Sequence, residues 1–140
     1  MKILLAVDGS AYTQKMLAYL TSHQEMLGTG HEYTIITVQP LLPPRARAAL
    51  GKEVVDQYYD EESTKILQPV QDFLKARSVE AQSISKVGPI ADTIIKEAQD
   101  GKFDLIAMGT HGHGALGRLV MGSVSSQVLA GCTIPVLLIR

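Results

Sequence analysis

Gly109 to Ser123 reads Gly-Thr-His-Gly-His-Gly-Ala-Leu-Gly-Arg-Leu-Val-Met-Gly-Ser, and its glycines, hydroxyls and imidazoles are the residues of this chain best suited to chemistry. The run follows a strand-like apolar stretch, Leu105, Ile106, Ala107 and Met108, and precedes a helix-like stretch from Val124 to Ala130. A strand handing over to a helix makes an anion site, because amides not yet used by the helix point outward with the positive end of its dipole. Gly109, Gly112, Gly114, Gly117 and Gly122 are expected to take positive φ angles and to bring the backbone close to a ligand. Ser123 and Ser125 add hydroxyls at the helix start, where either caps the helix or binds a phosphate oxygen.

Two phosphate motifs are nearly spelled here, and neither is supported. Gly112, Gly114 and Gly117 form GxGxxG, but a dinucleotide fold needs it after the first strand, with an acid about 20 residues on. In this chain that distance falls in the apolar tail Val136 to Ile139. Gly117 and Gly122 frame GxxxxG, yet Ser123 stands where a P-loop requires lysine. What does fit is Gly109-x-x-Gly112, nine residues, then Gly122-Ser123.

That spacing resembles the nucleotide-binding signature of the universal stress protein family. Met1 to Ser10 resembles the family's opening strand and Asp-Gly-Ser turn, and Gly122 to Arg140 resembles its closing helix and strand, so the likeness runs the whole chain. The resemblance implies bound ATP, or AMP or ADP, with Mg. It places Asp8 at the ribose or adenine region and the main chain of Val38 at the adenine edge. It places the amides of His111, Gly112 and His113, with Ser123 and Ser125, at the phosphates. Gly9, Ser10, Gly109, Thr110, Gly122 and Val124 complete the implied nucleotide contacts.

The elements that must hold these residues can be read in chain order. Ile3 to Val7 is a short apolar run closed by Asp-Gly-Ser, as in a strand buried on both faces. Ser10 offers a helix N-cap, and Met16, Leu17, Leu20 and Leu27 recur at helical spacing, so a helix is expected over 11–27. Glu32 to Gln39 is rich in β-formers. Pro43 and Pro44 predict a loop over Pro40 to Gly51, its Arg45 and Arg47 solvated rather than reaching an anion. Val55, Tyr59, Ile66, Val70, Phe73 and Leu74 mark one face of a helix from Glu53 to Ala76, and Pro69 predicts a bend or a break in it. The adjacent Tyr58 and Tyr59 read as rim and core.

Val79 to Val87 has the polar mix of an edge strand. Gly88-Pro89 opens a helix that Gly101 closes, and the uniformly apolar Leu105 to Met108 is expected to be central. The sum is β-α-β-α-β-α-β-α-β with crossovers suited to parallel pairing, hence one doubly wound α/β domain spanning 1–140. The resemblance implies a five-stranded parallel sheet of order 3-2-1-4-5 with helices on both faces, the adenine nucleotide alpha hydrolase-like fold. Ligands of such sheets bind at the carboxyl ends of the strands, and Asp8, Val38 and Gly109 each lie at one.

Composition bounds the partners. The 140 residues are 46% apolar and 19% charged with net charge -1, which gives no reason to expect nucleic acid or membrane as a partner. The single cysteine, Cys132, excludes an intrachain disulfide and suits a reducing compartment, and no leader or span is legible, so the cytoplasm is expected. His111 and His113 lack a nearby third ligand, so phosphate or solvent contact is preferred to a metal. Arg118 is expected either to reach the γ-phosphate or to face water. No catalytic triad is legible.

The apolar tail Val136 to Ile139, at a sheet edge in the implied order, predicts a homodimer through that strand. The expected function is nucleotide-dependent stress response or signalling, read by an unidentified protein partner, with little or no hydrolysis. The alternatives are a dimeric interaction module that binds no nucleotide and a slow ATP hydrolase.

Overall fold

The computed structural model describes residues 1–25, 27–28, 30–113 and 121–140. Five parallel strands form one sheet in the order β3-β2-β1-β4-β5. They are β1 Lys2–Ala6, β2 Glu32–Gln39, β3 Ala81–Val87, β4 Leu105–Gly109 and β5 Val136–Ile139. The helices are α1 Ala11–Ser22, α2 Pro44–Leu50, α3 Lys52–Lys75, α4 Ile90–Asp100 and α5 Ser123–Gly131. The interior strands β1 and β2 are buried along nearly their whole length, Thr34 and Thr37 included, because both faces are covered, as in parallel sheets.

Successive residues of β1 alternate between two cores. Ile3, Leu5 and Val7 pack with Met16, Leu17 and Leu20 of α1 and Val70 and Leu74 of α3. Leu4 and Ala6 turn to the opposite face, with Ile94 and Ala98 of α4 and Val128 of α5. The period of two along the strand thus meets the period of 3.6 along each helix on both sides of the sheet. The central strand is β1, not Leu105 to Met108, which forms the interior strand beside it.

Three local expectations are corrected. The Pro40 to Gly51 segment is not all loop: Pro44 to Leu50 is helical, with Pro44 in the first turn, where its missing N–H costs nothing. The six residues after it, Arg-Ala-Arg-Ala-Ala-Leu, are strong helix formers, and none of α2 is buried, so no apolar period announced it. Gly51, at φ +82°, turns the chain from α2 into α3. Second, α1 ends at Ser22, and Leu27 reaches the core across a turn in which its amide donates to the His23 carbonyl. Third, Pro69 does not break α3 into two helices: the helix runs from Lys52 to Lys75 through it. Pro69 and Lys65, whose carbonyl loses its helical donor to the proline, are both on the exposed side, where water can replace the missing bond.

Ser10 caps α1 as expected, its hydroxyl accepting from the Tyr12 amide. β3 lies at the sheet edge, largely exposed, and Tyr59 is buried while Tyr58 is exposed. Cys132 is a free thiol, half-buried against the second core. No helix among the described residues is long and apolar enough to cross a membrane.

Candidate functional site

The chain reverses its direction of winding between β1 and β4, and the carboxyl ends of β1, β2 and β4 open there on one crevice of about 530 Å³. That volume is in the range of small-molecule sites. Ile36 and Val38 of β2, Ile90 and Ile94 of α4, and Met108 give it an apolar wall. Asp8, His111, Gly112, His113 and Ser123 give it a polar one. A second cavity, about 660 Å³, lies behind Thr13 and Ile66 between α1 and α3, with Gln14, Lys15 and Lys65 as its further polar lining.

On β2, the carbonyl of Ile36 accepts from Val7 on the β1 side, and that of Gln39 accepts from Gly88 on the β3 side. Strand alternation therefore turns the peptide groups of Val38 toward β1, past Ala6 where that strand ends. A planar base lying against the apolar wall would meet a main-chain edge there.

Asp8 is held in one orientation. Its Oδ1 accepts from the Ser10 amide at 2.9 Å and the Thr13 hydroxyl at 3.1 Å. Its amide donates to Thr13 Oγ1, and its carbonyl accepts from His113 Nε2 at 2.8 Å. A carbonyl only accepts, so Nε2 of His113 carries a proton. That bond ties the glycine-rich segment to the end of β1.

Thr110 anchors the other side. Its carbonyl accepts from the Gly122 amide and from the Ser125 hydroxyl, each at 2.7 Å, and its amide donates to Ile139 of β5. Thr110 Oγ1 and His111 Nδ1 are 2.9 Å apart. The buried hydroxyl of Ser125 is thus engaged inward, with the carbonyls of Thr110 and Gly122, and what Ser125 supplies is the closure of the loop. Ser123 is exposed at the head of α5, and its hydroxyl has no partner among the described residues. Gly122, the N-cap, provides no side-chain bond to α5, so the first amides of this helix open on the crevice.

The reason for the glycines differs from the expected one. Gly109, Gly112 and Gly122 are not in the left-handed region. Each is glycine for space. A β-carbon on Gly109 would lie 2.5 Å from Tyr12 Cβ, one on Gly112 would overlap Asp8 Oδ2, and one on Gly122 would come within 3.3 Å of Thr110 O and His111 Cα. Positive φ falls instead on Gly9, at +77°, where the chain turns from β1 toward α1.

Of the residues expected at a ligand, Asp8, Val38, Gly109, Thr110, His111, Gly112, His113, Gly122, Ser123, Val124 and Ser125 line the crevice. Gly9 and Ser10 stand behind it, making the turn and the α1 cap. Gly114, Gly117 and Arg118 lie outside the described residues. Arg45 and Arg47 are exposed on α2 and do not line the crevice. The wall residues Ile90, Ile94 and Met108 had no signal beyond the helical and strand patterns that also serve the core.

A sequence model described as the universal stress protein family matches residues 1–140. The universal stress protein Slr1230 of Synechocystis is 31% identical over 139 residues, covering 99% of this chain but only 42% of that protein. YxiE of Bacillus subtilis is 29% identical, with 99% of this chain and 98% of that protein covered. Among solved structures, MJ0577 of Methanocaldococcus jannaschii superposes with a TM-score of 0.83 at 24% identity, over 99% of this chain and 94% of that one. An AMP-bound family protein of Arabidopsis thaliana gives 0.71 at 15%, over 99% and 90%. A dAMP complex from Archaeoglobus fulgidus gives 0.67 at 20%, over 100% and 98%. At these identities the superpositions speak for the fold. With that fold, a strand-end crevice floored by the spaced glycines, and a family match from first residue to last, the chain belongs to the universal stress protein family.

Proposed function

We propose that this chain binds an adenine nucleotide, ATP first and AMP or ADP in competition with it, and works as a nucleotide-dependent signalling or stress-response module with little or no hydrolysis. The observation that carries the reading is the pairing of an apolar wall, ended by the Val38 main chain, with the uncapped amides of α5 across one crevice. Such a site takes a flat base at one end and an anion at the other. The AMP and dAMP complexes of the two superposable family members support an adenine ligand.

In this reading the base lies between Ile36, Val38, Ile90 and Met108, and the free edge of the Asp8 carboxylate meets the ribose. The amides of His111, Gly112, His113, Ser123 and Val124 surround the phosphates. Asp8 is the one carboxylate lining the crevice among the described residues, and no three candidate metal ligands cluster there. Mg would therefore ride on the nucleotide's own phosphates rather than on a protein ligand set. Rapid phosphoryl transfer needs a metal-holding acid, a positioned water and a cation on the leaving phosphate. The described cradle is instead built of amides and hydroxyls, which suits holding a nucleotide. A homodimer paired through β5, working in the cytoplasm, would present the occupied or empty crevice to a protein partner.

The test is the melting temperature of the purified protein with Mg-ATP, AMP and GTP. A ligand at 100 times its dissociation constant adds about 2.7 kcal/mol of stability. A shift with ATP and AMP but not GTP is the expected result. No shift with any of them, and no nucleotide released on denaturation, would leave the crevice as part of an interaction module.

A further inference from the structure

We propose that Tyr12, in the first turn of α1, is the positioning residue of the phosphate loop, and that the leading glycine of the GxxG spacing, Gly109, is glycine in order to admit it. The inference rests on the nucleotide reading above and assigns the element that holds the opening of the loop, Gly109 to Gly112.

Gly109 is outside the left-handed region, so its backbone conformation does not demand glycine. Space does. Its missing β-carbon would sit 2.5 Å from Tyr12 Cβ and 3.4 Å from the Tyr12 carbonyl carbon, so α1 is seated directly on the end of β4. The Tyr12 backbone is fixed by the α1 cap through its amide bond to Ser10 Oγ. Its ring then lies 5.0 Å from the His111 imidazole at an interplanar angle of 39°, within the range in which aromatic rings attract. Lys15 Nζ stands 4.7 Å from the centroid of the Tyr12 ring, a cation–π contact that fixes the ring from a second direction.

His111 is thereby held between the Tyr12 ring and Thr110 Oγ1. Fixing that side chain restrains the peptide planes on either side of it, at the two residues, His111 and Gly112, that line the crevice. Preorganised amides bind an anion without a reorganisation cost, whereas a loose loop must be ordered by the ligand. The Tyr12 ring therefore acts on the phosphate end of the site and leaves the base end, built by β2 and α4, untouched. The contact uses the ring and not the hydroxyl.

Calorimetric titration of AMP and of adenosine into the parent protein, Tyr12→Ala and Tyr12→Phe tests this, with backbone amide relaxation of His111 and Gly112 measured on each. Tyr12→Ala is expected to weaken AMP by about tenfold, to leave adenosine within about twofold, and to loosen both amides, while Tyr12→Phe matches the parent. Unchanged AMP affinity in Tyr12→Ala, an equal loss of AMP and adenosine, or failure of Tyr12→Phe to restore binding overturns the proposal. If Tyr12→Ala does not fold, Tyr12→Leu, which keeps an apolar side chain on the same Cβ without the ring, must give the same split. If the parent binds neither ligand, the nucleotide reading fails by itself, and the relaxation data alone decide whether Tyr12 orders the loop.

Discussion

A β-carbon on Gly112 would have to share space with Asp8 Oδ2, and the carboxylate has little room to yield because its other oxygen is held by Ser10 and Thr13. Gly112→Ala must therefore either turn Asp8 out of its bonds or lift the glycine loop away from β1. Both displace a group assigned to the ligand. The expected outcome is at least about a tenfold loss of adenine nucleotide affinity, roughly 1.4 kcal/mol, by calorimetry. Gly30→Ala is the control: nothing lies within 4 Å of a β-carbon there, and binding should be unchanged. A Gly112→Ala protein that binds like the parent would mean that the loop and Asp8 do not form one site. Glycine spacing was legible in the sequence at this scale, but its cause was not. Whether a glycine answers a dihedral angle or a neighbour is decided by which distant residue packs against it, here Asp8 and Tyr12.

Among the elements, α2 shows how a segment without an apolar face is positioned. It buries none of its own residues, and the connection leading into it is tied to the body where the Leu42 amide donates to Tyr59 Oη at 3.0 Å. Tyr59 is itself buried on α3. Tyr59→Phe keeps the ring and removes the acceptor, so a partly buried amide loses its partner at a cost of about 1–2 kcal/mol, readable as a lower urea midpoint. Faster amide exchange at Leu42 should accompany it, with the strand amides of β1 and β4 unaffected. An unchanged midpoint and unchanged exchange would place the anchor of α2 elsewhere. The helices with a buried stripe, α1, α3 and α4, were legible from apolar spacing because burial and periodicity have the same cause. The short helix α2 was not, since its stability comes from local propensity and a proline at its start. The end of α1 was misplaced because Leu27 continues the spacing in a turn.

At the scale of the molecule, the sheet ends on β5 with one edge open. The carbonyls of Pro135 and Ile139 accept from Ile106 and Thr110 on the β4 side. Alternation therefore directs the peptide groups of Val136 and Leu138 to the open edge, where a second copy could pair with them. Sedimentation at micromolar concentration is expected to give twice the chain's 15.1 kDa, and a single-chain mass would exclude pairing through β5. The sequence by itself determined the alternation of strands and helices, the parallel sheet and the strand-end location of the crevice. Those follow from local hydrophobic periods and from the reach of the crossovers, which need no knowledge of distant contacts. The tertiary structure decided which hydroxyls stay available, with Ser125 turned inward to Thr110 and Ser123 left at the surface. It also decided that the glycines serve close approach, and that α1 seats Tyr12 against the loop. Each of these depends on contacts between residues far apart in the chain, and side-chain geometry across such distances is fixed only when the two cores close around the sheet.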